Sequence, residues 1–150
     1  MEIYRIAFIG HRRIDGQHNL EDKIAKGQIL EKEYVEFYVG SNRDFDILAA
    51  SAIKAAQKAV GHHNSCFIFL QPYRMKDDVY YEKFYDEVLY PVDSKTHYRV
   101  AITKRNQWMI DHADLLLAYV EEDRKGGALS SLQYAQKRGV EMINLAKKSE

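Results

Sequence analysis

The feature that most constrains the fold is the stretch Tyr38-Val39-Gly40-Ser41-Asn42-Arg43-Asp44-Phe45-Asp46-Ile47-Leu48-Ala49-Ala50, where an apolar run stops at a glycine and helical spacing begins four residues later. Upstream, Tyr34 to Val39 is rich in aromatic and β-branched residues, the chemistry of a strand. Downstream, Phe45, Leu48, Ala52, Ile53, Ala56 and Val60 recur at helical spacing, and Ser41-x-x-Asp44 has the form of a capping box. The reading is strand, tight turn, helix. Such a junction leaves backbone N–H groups free at a helix N-terminus, where a phosphate or other anion is stabilised. Gly40 and Ser41 therefore either close a structural turn or cradle an anion. Gly40, Ser41, Asn42, Asp44 and Asp46 enter as candidate ligand-binding residues on the second reading.

The same alternation runs along the chain. Ile3 to Ile9, Tyr34 to Val39, Cys66 to Leu70, Leu115 to Val120 and Glu141 to Leu145 read as five short strands, with Pro72 stopping the third. Helical segments fall over Asn19 to Glu33, Asp44 to Val60, Tyr98 to Ala113 and from Gly126-Gly127 to Arg138, where Gly139 ends the last. A further short helix with a loop on either side is expected within Tyr73 to Pro91. Right-handed crossovers then predict an α/β, Rossmann-like fold, a mostly parallel five-stranded sheet with helices on both faces. In such sheets ligands bind beyond the carboxyl ends of the strands. The loops there are Gly10 to Arg13, Gly40 to Asp46, Gln71 to Arg74 and Glu121 to Ser131.

Length and composition narrow the function. A chain of 150 residues fits one domain over 1–150 with one site. Lysine plus arginine equals aspartate plus glutamate at 22 each, so no overall field favours a long nucleic acid or an anionic membrane. Cys66 is the single cysteine, which excludes disulfide frameworks and thiolate-rich metal sites within one chain. His11, His18, His97 and His112 show no H-x-x-x-H or H-x-E spacing, so neither a metal nor a cofactor is expected. No apolar run approaches the ~20 residues that span a bilayer, and the expectation is a soluble, cytoplasmic protein.

Several residues carry chemistry. Gly10-His11-Arg12 follows the first strand with one glycine where a dinucleotide enzyme has G-x-G-x-x-G, which speaks against NAD or FAD binding in the usual manner. Arg12 there either clamps a phosphate with two parallel hydrogen bonds or is a solvated surface residue. Arg105 either points toward the ligand or pairs with Asp111 or Asp114. Tyr73, after the third strand, is either a base-stacking partner or part of the core. Gly126, Gly127, Ser130 and Ser131 supply a second turn able to hold a phosphate.

In order, Ile6-Ala7-Phe8-Ile9-Gly10-His11-Arg12, Tyr38-Val39-Gly40-Ser41 with Phe45-Asp46 and Leu48-Ala49, Lys104-Arg105-Asn106-x-Trp108-Met109-Ile110-Asp111, and Gly126-Gly127-Ala128 resemble the SLOG superfamily. That group joins the Smf/DprA proteins to the LOG proteins, and the chain looks closest to small single-domain members of the YpsA-like branch. The resemblance covers nearly the whole chain. It implies a Rossmann-like fold that binds a nucleotide or nucleotide derivative, such as an NAD-derived or cyclic ADP-ribose-type signal, as a sensor or sequestering protein. It also implies self-association into a homodimer or higher homo-oligomer, for which the tyrosine-rich segment from Tyr80 to Tyr90 offers a surface.

LOG enzymes hydrolyse nucleotide N-glycosidic bonds with a Pro-Gly-Gly-x-Gly-Thr-x-x-Glu motif and an upstream arginine. Arg105 matches that arginine and Gly126-Gly127 the paired glycines. Leu129 replaces the third glycine, Ser130 the threonine and Gln133 the glutamate, while the charged stretch Glu121 to Lys125 stands in place of the proline. Cleavage develops positive charge on the sugar, which a carboxylate stabilises far better than a neutral amide. Gln133 thus implies binding without hydrolysis, with no catalytic residue assigned, and the same loss counts against a deoxyribosyltransferase. The enzyme alternative keeps Asp46 as its nearest carboxylate.

Overall fold

The computed structural model describes residues 2–14, 32–40, 44–76 and 83–146. In chain order its elements are β1 (Ile3–Gly10), β2 (Tyr34–Val39), α1 (Asp44–Val60), β3 (Ser65–Leu70), β4 (Glu87–Leu89), α2 (Tyr98–His112), β5 (Leu115–Tyr119), α3 (Gly127–Arg138) and β6 (Glu141–Asn144). All six strands pair in parallel in the order β4-β3-β2-β1-β5-β6. The fold is Rossmann-like.

Side-chain alternation sorts the core into two layers. Ile6 and Phe8 of β1 share one face with Phe37, Phe67, Leu115 and Leu117, and Phe45, Ala49, Ala52, Ile53 and Ala56 of α1 pack over them. On the other face Ala7, Ile9, Tyr38, Ile68, Leu116 and Ala118 meet Met109 and Ile110 of α2 and Leu132 and Ala135 of α3. Full burial of each large apolar side chain contributes about 1.5–3 kcal/mol. Slipping β1 by one residue would exchange the two sets, so the pairing of Ile6 with Phe37 on one side and Leu115 on the other is strongly specified. Gly10 is part of this packing, since a β-carbon there would collide with the Phe45 ring.

One strand was not expected. Residues Glu87–Leu89, placed by their pattern in a helix-and-loop region, form the parallel edge strand β4, giving six strands rather than five. Tertiary contacts explain the difference. Asp86 donates its backbone N–H to the Phe67 carbonyl of β3 at 2.9 Å, and its Oδ2 accepts from Phe67 N–H at 2.7 Å and from Gln57 Nε2 at 3.1 Å. The Tyr85 ring packs on Phe67 and Phe69 at centroid distances of 4.7 and 4.3 Å. These contacts draw the segment alongside β3, and its weak local preference yields. The helix expected over Asn19 to Glu33 lies, apart from its last two residues, outside the described residues, as do Tyr80 and Tyr81.

Strand order reverses between β1 and β5. The chain runs outward from β1 through β2, β3 and β4, then crosses to β5 and β6 on the other side. A crevice opens where adjacent connections diverge, beyond the carboxyl ends of β1 and β5, where Gly10 lies opposite Tyr119.

Candidate functional site

A cleft of about 440 Å³ occupies that crevice. Its floor and near wall are Ile9, Gly10, His11 and Arg12; Ile102, Thr103, Asn106 and Gln107 of α2 form one side; Arg124 to Ala128, Ser130, Ser131 and Tyr134 form the other. Arg12, Arg124 and Lys125 bring three cationic side chains to this lining, and among the described residues no carboxylate joins them.

Two loops meet at the cleft and are tied to each other. The backbone N–H of His11 donates to the Tyr119 carbonyl at 3.2 Å, and its Nε2 accepts from the Glu121 N–H at 2.8 Å. That bond requires an unprotonated Nε2, so the neutral ring carries its proton on Nδ1. Burial lowers the His11 pKa below its ordinary value and Arg124 pushes the same way, against Glu121 and Asp123. Arg124 Nη1 donates to the Arg13 carbonyl at 2.9 Å and lies 3.5 Å from Glu121 Oε2. The loop after β5 is thereby fastened over the loop after β1.

The α3 N-terminus faces into this frame. Gly126 precedes the helix with φ 146° and ψ −169°, a conformation open to glycine and strained for other residues. No side chain caps the helix and its first turn holds no acid. The first intrahelical bond runs from Ser130 N–H to the Gly126 carbonyl at 3.1 Å. The amides of Gly127, Ala128 and Leu129 therefore have no acceptor within the helix, and the positive end of the helix dipole is left to the cleft.

Behind the lining lies Arg105, 1% exposed. Its Nε and Nη2 both donate to Asn106 Oδ1, at 3.2 and 3.1 Å, and Nη1 reaches the Leu70 carbonyl at 3.5 Å. Burial pushes the guanidinium pKa down, and the charges of Asp46 and Tyr73 push it back up. With its oxygen held twice, the Asn106 amide turns its Nδ2 toward Ser131 Oγ, 3.4 Å away. A buried cation thus orients two polar groups of the cleft wall without lining the cleft itself.

Of the residues singled out in the sequence, Gly10, His11, Arg12, Gly126, Gly127, Ser130 and Ser131 share the cleft. Gly40 lies under Arg105 instead: a β-carbon there would sit 2.8 Å from the guanidinium carbon. Asp44 fixes the loop after β1, its N–H donating to the Arg12 carbonyl at 3.0 Å and its Oδ2 accepting from Ile14 N–H at 3.1 Å. Asp46 is buried on the Arg105 side, and Tyr73 is part exposed there. Ser41 and Asn42 lie outside the described residues. Sequence reasoning passed over Asn106, Arg124, Lys125, Thr103 and Tyr134. Lys125 directly before Gly126-Gly127 was the available signal, read only as part of a charged stretch.

No family model and no curated protein matches this chain. Among solved structures, the fold is similar to that of DNA processing protein A from Helicobacter pylori, with a TM-score of 0.62 and 21% identity over 93% of this chain and 63% of that one. The chain therefore spans less than two thirds of that protein. The solved neighbour binds single-stranded DNA. This overturns the exclusion of long nucleic acids drawn from the charge balance. The physical error was to read a local property from a sum, because phosphate affinity follows the cations at the contact and not the charge of the whole chain. No described helix is long and apolar enough to cross a membrane.

Proposed function

We propose that the cleft binds a nucleotide or nucleotide-derived small molecule without hydrolysing it, as a sensor or a sequestering protein of the SLOG type, within the small YpsA-like branch. One observation carries this reading: three cationic side chains and an uncapped helix N-terminus converge on a lining that holds no described carboxylate. Each charge-assisted hydrogen bond to a phosphate is worth about 1.5–3 kcal/mol. Ser130 and Ser131 add hydroxyls beside the helix amides, and Asn106 and Gln107 offer amides to a sugar or base. Glycosidic hydrolysis needs carboxylates flanking the scissile bond. Gln133, in the position of the LOG glutamate, is exposed and does not line the cleft.

The test is to identify by mass spectrometry what heat-denatured protein releases, and to incubate the folded protein with nucleoside monophosphates and cyclic ADP-ribose. Intact ligand is expected. Free base or ribose phosphate in the mixture would replace this reading with the enzyme.

A second reading is favoured by the single-stranded DNA binding of the structural neighbour: the bound nucleotide is one unit of a strand. Titrations at several salt concentrations separate the two. A strand predicts log K falling with log salt at a slope of roughly −0.7 per phosphate contacted, so a longer oligonucleotide would bind far more steeply than a mononucleotide.

A further inference from the structure

Tyr98 opens α2 and is 60% exposed, the most exposed aromatic side chain among the described residues. It is nonetheless held in place. His97 caps the helix, its Nδ1 accepting from Arg99 N–H at 3.2 Å, and its ring stacks on Tyr98 with centroids 4.7 Å apart and planes 27° apart. Arg99 Nε reaches the Tyr98 hydroxyl at 3.4 Å. A ring fixed in this way has lost its rotamer freedom before any ligand arrives, yet it contributes little to the core.

Its position relates it to the cleft. A helix joining two parallel strands runs back against them, so the N-terminus of α2 overhangs the carboxyl edge of the sheet, on the side where the cleft opens. Tyr98 precedes the wall residue Ile102 by four positions, one turn or ~6 Å along the axis, and side chains so spaced share a helix face. It therefore continues, one turn toward the helix start, the stripe of α2 that forms the cleft wall, with Arg99 beside it.

We propose that Tyr98 is the stacking platform for the base of the ligand, a proposal that rests on the nucleotide reading of the cleft. Aromatic stacking is tolerant of base identity, because every base presents a π-face. The site would then select for a nucleobase without reading which one.

Calorimetric titration of the full chain with ribose 5-phosphate and with AMP tests this. Wild-type protein should bind AMP roughly tenfold or more tightly than ribose 5-phosphate. Tyr98→Ala should erase that preference while leaving ribose 5-phosphate binding unchanged, and Tyr98→Phe should keep it. Retained preference in Tyr98→Ala, or equal losses for both ligands, would overturn the stacking role and leave the cleft reading standing. Failure of wild-type protein to bind either compound would overturn both.

Discussion

Two helices begin at the carboxyl edge of this sheet after a glycine, and they use their N-termini in opposite ways. The first turn of α1 carries Asp44 and Asp46; the Asp44 amide bonds the Arg12 carbonyl and its carboxylate takes the Ile14 N–H. The first turn of α3 carries no acid, has no side-chain cap, and follows Arg124 and Lys125. A helix dipole favours negative charge at its start by about 0.3–1 kcal/mol. In α1 the protein supplies that charge itself and uses the end as a joint for the loop after β1. In α3 it supplies cations instead, which leaves the end suited to an external anion. Similar local motifs thus differ in electrostatics through a few flanking charges.

The largest expected effect comes from the side chain that supports both regions. Arg105 lies over Gly40 and, through Asn106, orients Ser131 of α3. Arg105→Ala leaves the buried Asp46 beside a cavity, and chemical denaturation should show a loss of about 3–5 kcal/mol. An unchanged midpoint would remove Arg105 from the framework.

Gly127→Asp makes α3 resemble α1. A β-carbon at Gly127 meets nothing within 4 Å, so the substitution is tolerated sterically. Nucleotide affinity should fall by about 1.5–3 kcal/mol while thermal stability holds or rises. Undiminished binding would place the phosphate elsewhere. The reciprocal change, Asp44→Ala, should cost about 0.5–2 kcal/mol of stability with nucleotide affinity retained. A selective loss of binding would return α1 to the site.

The smallest effect concerns pH. The His11 pKa is lowered in the folded state, so the folded form prefers the neutral ring. Its contribution to stability is complete above the unfolded value near 6.5 and is lost as pH falls below it toward the folded pKa. Protection of the Glu121 amide, taken relative to its intrinsic exchange rate at each pH, should fall on acidification, and His11→Gln should flatten that dependence.

The strands were legible where burial on both faces writes a continuous apolar run, as in Phe67 to Leu70 and Leu115 to Tyr119. Edge strand β4 was not, because Glu87–Leu89 owes its place to Asp86 and Tyr85 contacts distant in sequence. Gly126 was legible as a turn, but the reason for Gly40, outside the cleft, was hidden: it makes room for a guanidinium from a helix about 65 residues later. Arginine ordinarily signals exposure, so nothing near Arg105 announces that it is among the most buried side chains of the fold. Arg124 and Lys125 do lie in a charged loop, as read, but their place in the cleft lining depends on that loop folding back over the one after β1, which no local pattern shows.

In the proposed function an anionic nucleotide group docks on the start of α3 and not on that of α1. Backbone amide chemical shifts recorded while AMP is titrated into the protein test it most directly. Saturable shifts centred on Gly127, Ala128 and Leu129, with Asp44 to Ile47 unmoved, are the predicted result. Shifts centred on Asp44 to Ile47 with the α3 amides silent would contradict it.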